Sequence, residues 1–187
     1  MLDAQNMQAD WHIFRGKGDL SGNSLQDLPD SPVLLWSLRT NVRTKSSPVA
    51  GEKMIYFGND KGTLIAAGDD GKIKWKAETG KTTEAAPLIW SDKVIVGSTD
   101  GKLRAYNKAN GKTVWTYSTD NQILGSANTW TVNKRTGIIF GSYDFYLHCV
   151  DPVSGKFIWK METENYVNGT PAVSGNMIVF GGCDGII

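Results

Sequence analysis

The sequence has little of several features that mark common classes of protein. Its 187 residues include two cysteines, too few for a disulfide framework. We expect Cys149 and Cys183 to be buried or half-buried free thiols rather than a disulfide. The two histidines, His12 and His148, lie in different segments and have no cysteine or carboxylate at ligand spacing, so we expect no transition-metal site.

Charge of one sign is also lacking. The chain has 20 basic and 19 acidic residues, a net charge of +1, and they are scattered rather than in runs. Surfaces that bind nucleic acid or a bilayer need concentrated positive charge, so we expect neither partner. No apolar run approaches the length of a membrane span, and residues 1–14 lack the basic end and apolar core of a signal peptide.

The short motifs of several large enzyme classes are missing. There is no G-x-S-x-G nucleophile elbow, no phosphate-binding G-x-x-x-x-G-K-[ST], and no G-x-G-x-x-G after a predicted strand. Catalysis that depends on these motifs is therefore excluded for this stretch of sequence.

What the sequence does contain is a repeated unit. The clearest copy is Asp100–Thr119; others are Lys61–Thr79, Asp144–Thr163 and the stub Asp184–Ile187. A glycine that closes an apolar run recurs at positions 58, 97, 141 and 181, at spacings of 39, 44 and 40 residues. A second marker is a tryptophan followed four residues later by threonine, at Trp36, Trp75, Trp115 and Trp159. A fixed period of this length predicts a repeat architecture.

Each unit is predicted to contain four short antiparallel strands. In the second unit they are residues 86–89, 93–96, 102–106 and 113–117, separated by turns that include Asp-Gly and Asn-Gly. Nothing in the chain has helical periodicity. The fold class is therefore all-β, a β-propeller of four-stranded antiparallel blades with about four repeats.

Two alternatives remain for how complete the propeller is. Three full units are followed by two strands of a fourth, which favours a partial or truncated propeller. The alternative is a closed four-bladed ring in which Leu34–Leu38 supplies the closing strand. An open array leaves blade faces and a strand edge bare, so self-association through open blade edges is expected if the array is partial.

Residues 1–32 stand outside the repeats, which occupy residues 33–187. We interpret 1–32 as an N-terminal extension, a strap that buries Trp11 and Phe14 against the sheets; the alternative is an arm that recruits a partner. In the turns after the marker glycines stand Lys61, Asp100, Asp144 and Asp184, and we interpret the aspartates as turn caps rather than calcium ligands.

A family resemblance rests on the segment that joins the third and fourth strands of each unit. It appears as Ala105–Trp115 and Cys149–Trp159, with a shorter version at Ala67–Trp75, and each contains Gly-Lys four residues before the tryptophan. This pattern resembles the tryptophan-docking repeat of the pyrroloquinoline quinone (PQQ) dehydrogenase-like propellers, over roughly residues 11–187. The resemblance implies structural roles for Trp36 and for Trp75 with Gly71, Trp115 with Gly111 and Trp159 with Gly155.

The resemblance leaves two functions open. The family's enzymes hold the quinone on the propeller axis, against a disulfide between adjacent cysteines and with a calcium ion bound by Glu, Asn and Asp. This chain has no adjacent cysteines and no aspartate that matches the catalytic base. We therefore favour a non-catalytic interaction or scaffold module without cofactor, whose partner is another protein. The alternative is a PQQ- and calcium-dependent dehydrogenase of alcohols or sugars. The resemblance also implies export to the periplasm or cell surface.

The predicted geometry nominates one surface for a ligand or partner. The first strand of each blade lines the axis, so the loops that enter it converge at one end of the channel. The polar candidates in these loops are Arg43, Lys45, Glu84, Asn121 and Asn168.

Overall fold

A computed structural model describes residues 11–24, 29–185 and 187 of the chain. In these ranges the regular secondary structure consists of fourteen β-strands and no helix, and hence no helix that could cross a membrane. The strands are β1 Val49–Gly51, β2 Met54–Gly58, β3 Thr63–Gly68, β4 Ile73–Glu78, β5 Leu88–Trp90, β6 Lys93–Gly97, β7 Lys102–Asn107, β8 Thr113–Ser118, β9 Asn128–Val132, β10 Arg135–Gly141, β11 Tyr146–Val150, β12 Phe157–Glu162, β13 Ala172–Ser174 and β14 Met177–Val179.

The strands form separate antiparallel sheets, one for each repeat. The first three sheets have four strands each, in the order β1-β2-β3-β4, β5-β6-β7-β8 and β9-β10-β11-β12, while the fourth contains β13 and β14. Within each sheet, every strand pairs with the strands next to it in sequence, as in the predicted blade. The all-β fold with antiparallel four-stranded blades is confirmed, and the array is a partial propeller.

The prediction of a closing strand at Leu34–Leu38 is wrong. Residues 32–40 belong to no strand, and they pair with neither β14 nor any other described strand. Trp36 instead holds this segment beside the first sheet, where its indole nitrogen donates a hydrogen bond to the carbonyl of Asp69 (2.7 Å). The segment therefore lies at the opposite end of the array from the two-stranded sheet that it was expected to close.

The sheets pack face to face, which explains why their middle strands are almost wholly apolar. All five residues of β6 are buried because another sheet covers each of its faces. One core cluster joins the first and second sheets through Tyr56, Trp75 and Tyr106. A second joins the second and third sheets through Ile95, Trp115 and Phe140. The outer strands β4 and β8 bury only their tryptophan fully.

The N-terminal segment runs along the innermost strands of all four sheets. Trp11 and Ala50 exchange backbone hydrogen bonds (2.8 and 3.0 Å), and the amide of Ile89 donates to the carbonyl of His12 (2.8 Å). Further along, the carbonyl of Gly18 accepts from the Asn128 side chain (2.7 Å) and from the amide of Val173 (2.7 Å). Residues 11–18 therefore occupy the strand edges that face the propeller axis.

Ile13 is the most deeply buried member of this strap, at 6% exposed. Trp11 and Phe14, which we expected to be buried, are half-buried, and Phe14 packs against the first core cluster. Backbone hydrogen bonds and the packing of Ile13 and Phe14 on the two core clusters together hold the strap to the sheets.

Candidate interaction surface

Two tryptophans, Trp75 and Trp115, each join one blade to the next by the same contact. The indole nitrogen of Trp75 donates to the carbonyl of Lys108 (3.0 Å), and that of Trp115 donates to the carbonyl of Pro152 (3.1 Å). Each ring lies against a glycine of the same turn: a Cβ on Gly111 would stand 2.6 Å from the Trp75 ring, and one on Gly155 would stand 2.6 Å from Trp115. No side chain fits there, so the turn requires glycine.

The partner of each tryptophan lies in the following unit, which corrects the pairing that we took from the resemblance. Trp36 meets Gly71, Trp75 meets Gly111 and Trp115 meets Gly155. The expected pairs within one unit, such as Trp115 with Gly111, do not form. The reason is the direction in which the tryptophan points. The fourth strand of a blade directs its tryptophan side chain toward the next sheet, and the glycine turn of the following unit lies there.

Trp159 has no such turn to meet among the described residues. It is half-buried, whereas Trp75 and Trp115 are 9% and 7% exposed. Its ring stands edge-on to Trp130, with 5.7 Å between ring centres. A cavity of about 540 Å³ opens beside it, bounded by Trp130, Cys149 and Ile158 among others. The outer half of the third blade is therefore uncovered where the first two blades are covered.

A polar contact also joins the first and second blades. Arg104 forms a two-pronged ion pair with Asp100 (2.5 and 3.0 Å) and donates to the carbonyl of Thr79 in the preceding blade (2.6 Å). Burial alone would raise the pKa of Asp100, but the hydrogen bonds from Arg104 and Ser98 outweigh it and hold that pKa below its usual value. Asp100 is therefore a charged, inward-facing residue that helps to join the two blades, and its carboxylate is not free to bind a ligand.

The equivalent position in the third blade holds His148. Its Nε2 lies 3.0 Å from a carboxylate oxygen of Asp144, and its Nδ1 lies 3.1 Å from the Tyr117 hydroxyl of the second blade. The ring also stacks on Phe140 (5.3 Å between centres). Sequence reasoning missed this pair by treating His148 as having no carboxylate at ligand spacing, although Asp144 stands four residues before it in the repeat column of Asp100.

This buried group does not have the arrangement of a nucleophilic site. The side chains of His148 and Asp144 are 3% and 5% exposed, so a substrate has no access to them. Burial raises the pKa of Tyr117, and it raises the pKa of the neighbouring Cys149 to about 12, which keeps that thiol protonated. The arrangement joins two blades and orients His148.

Of the five loop residues predicted to face a ligand, the structure brings two together. Lys45 and Glu84 form an ion pair between the first two loops. Arg43 lies 3.7 Å from Asp60 in the β2–β3 turn instead. Among the described residues, no hydrogen bond or ion pair links the side chains of Arg43, Asn121 and Asn168 to one another.

Backbone and hydroxyl contacts hold these loops to their neighbours. The Ser46 hydroxyl donates to the carbonyl of Ala85 (2.8 Å), and the Ser126 hydroxyl accepts from the amide of Ala86 (2.8 Å). The carbonyl of Asn121 accepts from the hydroxyl of Thr119 (2.7 Å). The loops are therefore fixed in position, with Asn121 and Asn168 exposed.

An aromatic group lies at this same end, and sequence reasoning did not identify it. Tyr143 and Tyr166 stack with 4.6 Å between ring centres, and Phe145 lies 5.1 Å from Tyr166. Phe145 has a φ of +74°, at the repeat position that Gly62 and Gly101 occupy with φ of +75°. A bulky residue is strained in this region. The sequence does contain a signal for this group, because Phe145 is an aromatic residue at a repeat position that is glycine in the two earlier units.

The described residues do not fit a quinone and calcium site. Cys149 and Cys183 are both free and far apart in sequence; Cys149 is buried and Cys183 is exposed, which corrects the expectation that both are at least half-buried. Within the described ranges, no three His, Cys, Asp or Glu residues are grouped so as to hold a metal ion. The strand edges that face the axis are already bonded to residues 11–18.

Comparison with known proteins shows which family shares this architecture. Residues 29–143 match the family model described as outer membrane protein assembly factor BamB. The chain is 26% identical over 81 residues to the outer membrane protein assembly factor BamB of Bordetella pertussis, which covers 43% of this chain and 21% of that protein. The chain thus spans about a fifth of the length of the curated relatives that it matches.

Two solved structures illustrate the likeness in three dimensions. BamB from Moraxella catarrhalis is 27% identical, with a TM-score of 0.56 over 65% of this chain and 41% of that one. The quinohemoprotein alcohol dehydrogenase from Comamonas testosteroni shares the fold, with a TM-score of 0.71 and 20% identity over 83% of this chain and 27% of that one. With its interlocking tryptophans and a family model that matches more than half of its length, this chain belongs to the BamB family of PQQ-like β-propeller repeat proteins.

Proposed function

We propose that this chain is a non-catalytic propeller module of an exported protein, acting in the periplasm or at the cell surface, where it offers surface to another protein. The observation that carries the proposal is the position of residues 11–18. They bond to the axis-facing edges of all four sheets, where the family's enzymes hold their quinone. The relatives named as assembly factors support the same assignment.

The surface that we assign to the partner is the end of the array with the loops into the first strands. Lys45 and Glu84 there neutralise each other, while Asn121 and Asn168 are exposed. The stacked Tyr143 and Tyr166 lie at the same end. Exposed aromatic and amide groups on a fixed scaffold suit protein recognition, because they add contact area and hydrogen bonds with little loss of conformational freedom.

The alternative function is a PQQ- and calcium-dependent dehydrogenase, which the fold likeness to quinohemoprotein alcohol dehydrogenase favours. A thermal unfolding experiment with PQQ and calcium separates the two. A ligand at 100 times its dissociation constant adds about 2.7 kcal/mol to the free energy of unfolding, so binding would be visible as a rise in melting temperature. We expect no rise, and no oxidation of alcohols or sugars with an artificial electron acceptor.

A calcium-dependent rise that Glu84→Gln or Asn168→Ala abolishes would overturn the proposal. Glu164→Gln is the matched control, because Glu164, like Glu84, lies in a loop into a first strand but was not a candidate ligand. Location is tested separately, by fractionating source cells with an antibody to this chain. We expect the signal in the periplasm or on the cell surface, and a cytoplasmic signal would contradict that part of the proposal.

A further inference from the structure

The aromatic group of Tyr143, Phe145 and Tyr166 leaves much of its ring surface open to solvent. Phe145 is 41% and Tyr166 is 38% exposed, while Tyr143 is half-buried. The Tyr166 ring stacks on Tyr143 with 20° between the ring planes, and it is tilted by 50° to the Phe145 ring. Because the three rings hold one another in place, a partner meets a surface that is already ordered.

The exposure of the two tyrosine positions is a property of the repeat. The amide of Tyr143 donates to the carbonyl of Gln122 (2.9 Å), as the amide of Thr99 donates to the carbonyl of Thr82 (3.0 Å) in the preceding unit. Tyr143 therefore corresponds to Thr99, and Tyr166 corresponds to Gln122. The second blade has a four-stranded sheet on each side, and there Thr99 is half-buried and Gln122 is exposed. These positions thus stay at the surface when both neighbouring sheets are present.

Backbone hydrogen bonds bring four segments together around the aromatic group. Residues 142–146 contain two of the rings, and their contact with Gln122 joins them to residues 119–122. The amide of Thr163 donates to the carbonyl of Phe145 (2.8 Å), and the amide of Cys183 donates to the carbonyl of Tyr166 (2.9 Å). Residues 163–166 and 181–185 therefore also lie beside the rings.

These four segments carry charge of one sign. Their sequences contain no lysine, arginine or histidine. They contain four acidic residues: Asp120, Asp144, Glu164 and Asp184. Asp144 is buried beside His148, whereas Asp120 and Glu164 are exposed. The surface around the rings is therefore negative, and a negative surface favours a partner of positive charge.

A cation already lies on an aromatic ring of the same turn. The Nζ atom of Lys160 is 3.7 Å from the centre of the Tyr146 ring, and Tyr146 directly follows Phe145. Cations are attracted to the negative face of a ring when they lie within about 6 Å of its centre. A guanidinium group suits such a face better than an ammonium group, because it is planar, more weakly hydrated and able to stack.

We propose that the aromatic group binds an arginine side chain from an extended basic segment of the partner protein. The guanidinium group stacks on the exposed rings of Phe145 and Tyr166, and the carboxylates of the surrounding segments favour its charge. Charge complementarity decides the occupant, since the same carboxylates repel an acidic segment and give a neutral one no electrostatic gain. The inference rests on the proposed function as a protein-binding module, and it names the chemistry of the partner.

Fluorescence anisotropy on the full chain tests the inference with three labelled peptides of equal length. They alternate glycine with arginine, with lysine or with glutamine. We expect the arginine peptide to bind, the lysine peptide to bind more weakly by about threefold or more, and the glutamine peptide not to bind, because the rings prefer the planar cation. Added salt should weaken the binding of the arginine peptide, since part of the attraction comes from exposed charges.

Tyr166→Gln tests whether the rings take part in binding. It places at this position the residue that the second blade has there, Gln122, and it should weaken binding of the arginine peptide by about fivefold or more through loss of a cation–π contact. Phe157→Gln is the matched control, because Phe157 is also an exposed aromatic residue of the third blade (56% exposed) but lies at the opposite end of β11 and β12. The control should bind like the unmodified chain, and equal binding by the two variants would contradict the proposal.

Phe145→Gly separates binding from folding. Phe145 has a φ of +74°, and the equivalent residues, Gly62 and Gly101, have a φ of +75°. Glycine relieves the strain of this conformation, so the melting temperature should be at least as high as that of the unmodified chain. Affinity for the arginine peptide should nevertheless fall by about fivefold or more, because one of the two exposed rings is lost. Full affinity in this variant would contradict the proposal.

Three results with the unmodified chain would overturn the inference. They are no binding of the arginine peptide, equal affinity for the arginine and glutamine peptides, and equal affinity for the arginine and lysine peptides. Each leaves the proposed function to its own test with PQQ and calcium. Conversely, a calcium-dependent rise in melting temperature with PQQ would overturn the proposed function whatever the peptides do, so the two failures are distinguishable.

Discussion

Replacement of Trp115 by alanine tests the interlock between blades most directly. The Trp115 ring is 7% exposed, lies against Gly155 and donates a hydrogen bond of 3.1 Å to the carbonyl of Pro152. Truncating a large buried aromatic costs about 3–5 kcal/mol of unfolding free energy, and the lost hydrogen bond accounts for about 1 kcal/mol of this. The pocket cannot collapse readily, because a β-sheet stands on each side of it.

The matched control is Trp159→Ala, at the same repeat position. Trp159 is half-buried and has no docking turn among the described residues, so its loss should cost about 1–2 kcal/mol through area alone. Urea unfolding followed by far-ultraviolet circular dichroism measures both, at a concentration low enough to keep the chains monomeric. A loss below about 1 kcal/mol for Trp115→Ala, or equal losses for the two variants, would refute the reasoning.

Three further predictions address the glycine turn, the loss of stability at acidic pH and the reactivity of the two thiols. Gly111→Ala should destabilise the chain by at least about 1 kcal/mol more than Gly175→Ala, because both glycines have positive φ but only at Gly111 does a Cβ strike a ring; equal losses in urea unfolding would contradict this. The lowered pKa of Asp100 means that its stabilising charge is present above the usual value of 3.8 and is lost as the pH falls below it. Asp100→Asn should therefore be less stable at pH 7 and show a shallower loss of melting temperature on acidification; a slope equal to that of the unmodified chain would count against the ion pair. A thiol reagent should label Cys183 in the native chain and both cysteines after unfolding, since Cys149 is buried; rapid native labelling of two thiols would be incompatible with that burial.

Much of the fold could be predicted from the repeat alone. Turn residues at fixed offsets and short apolar runs set four strands for each unit, and in the second unit β6, β7 and β8 begin at the predicted residues. Local chemistry determines these elements, since a hairpin depends on its own turn and on the alternation of its own side chains. The columns of tryptophan and glycine also indicated that blades interlock, although not which glycine each ring meets.

The remainder depends on contacts between distant residues, which local pattern does not encode. The direction of each tryptophan toward the following unit follows from how one sheet lies on the next. The position of residues 11–18 along the axis, with Gly18 bonded to Asn128 and Val173, joins segments more than 100 residues apart. The buried chain of Tyr117, His148 and Asp144 forms only when two blades meet.

The sequence by itself thus determined the repeat, its strands and its turns, because those are set by side chains within a few residues of one another. Only the tertiary structure decided that residues 32–40 remain outside any sheet and that Lys45 meets Glu84. Each of these depends on which sheet lies beside which, and a sheet gains its neighbours from packing energy summed over many residues rather than from any one motif.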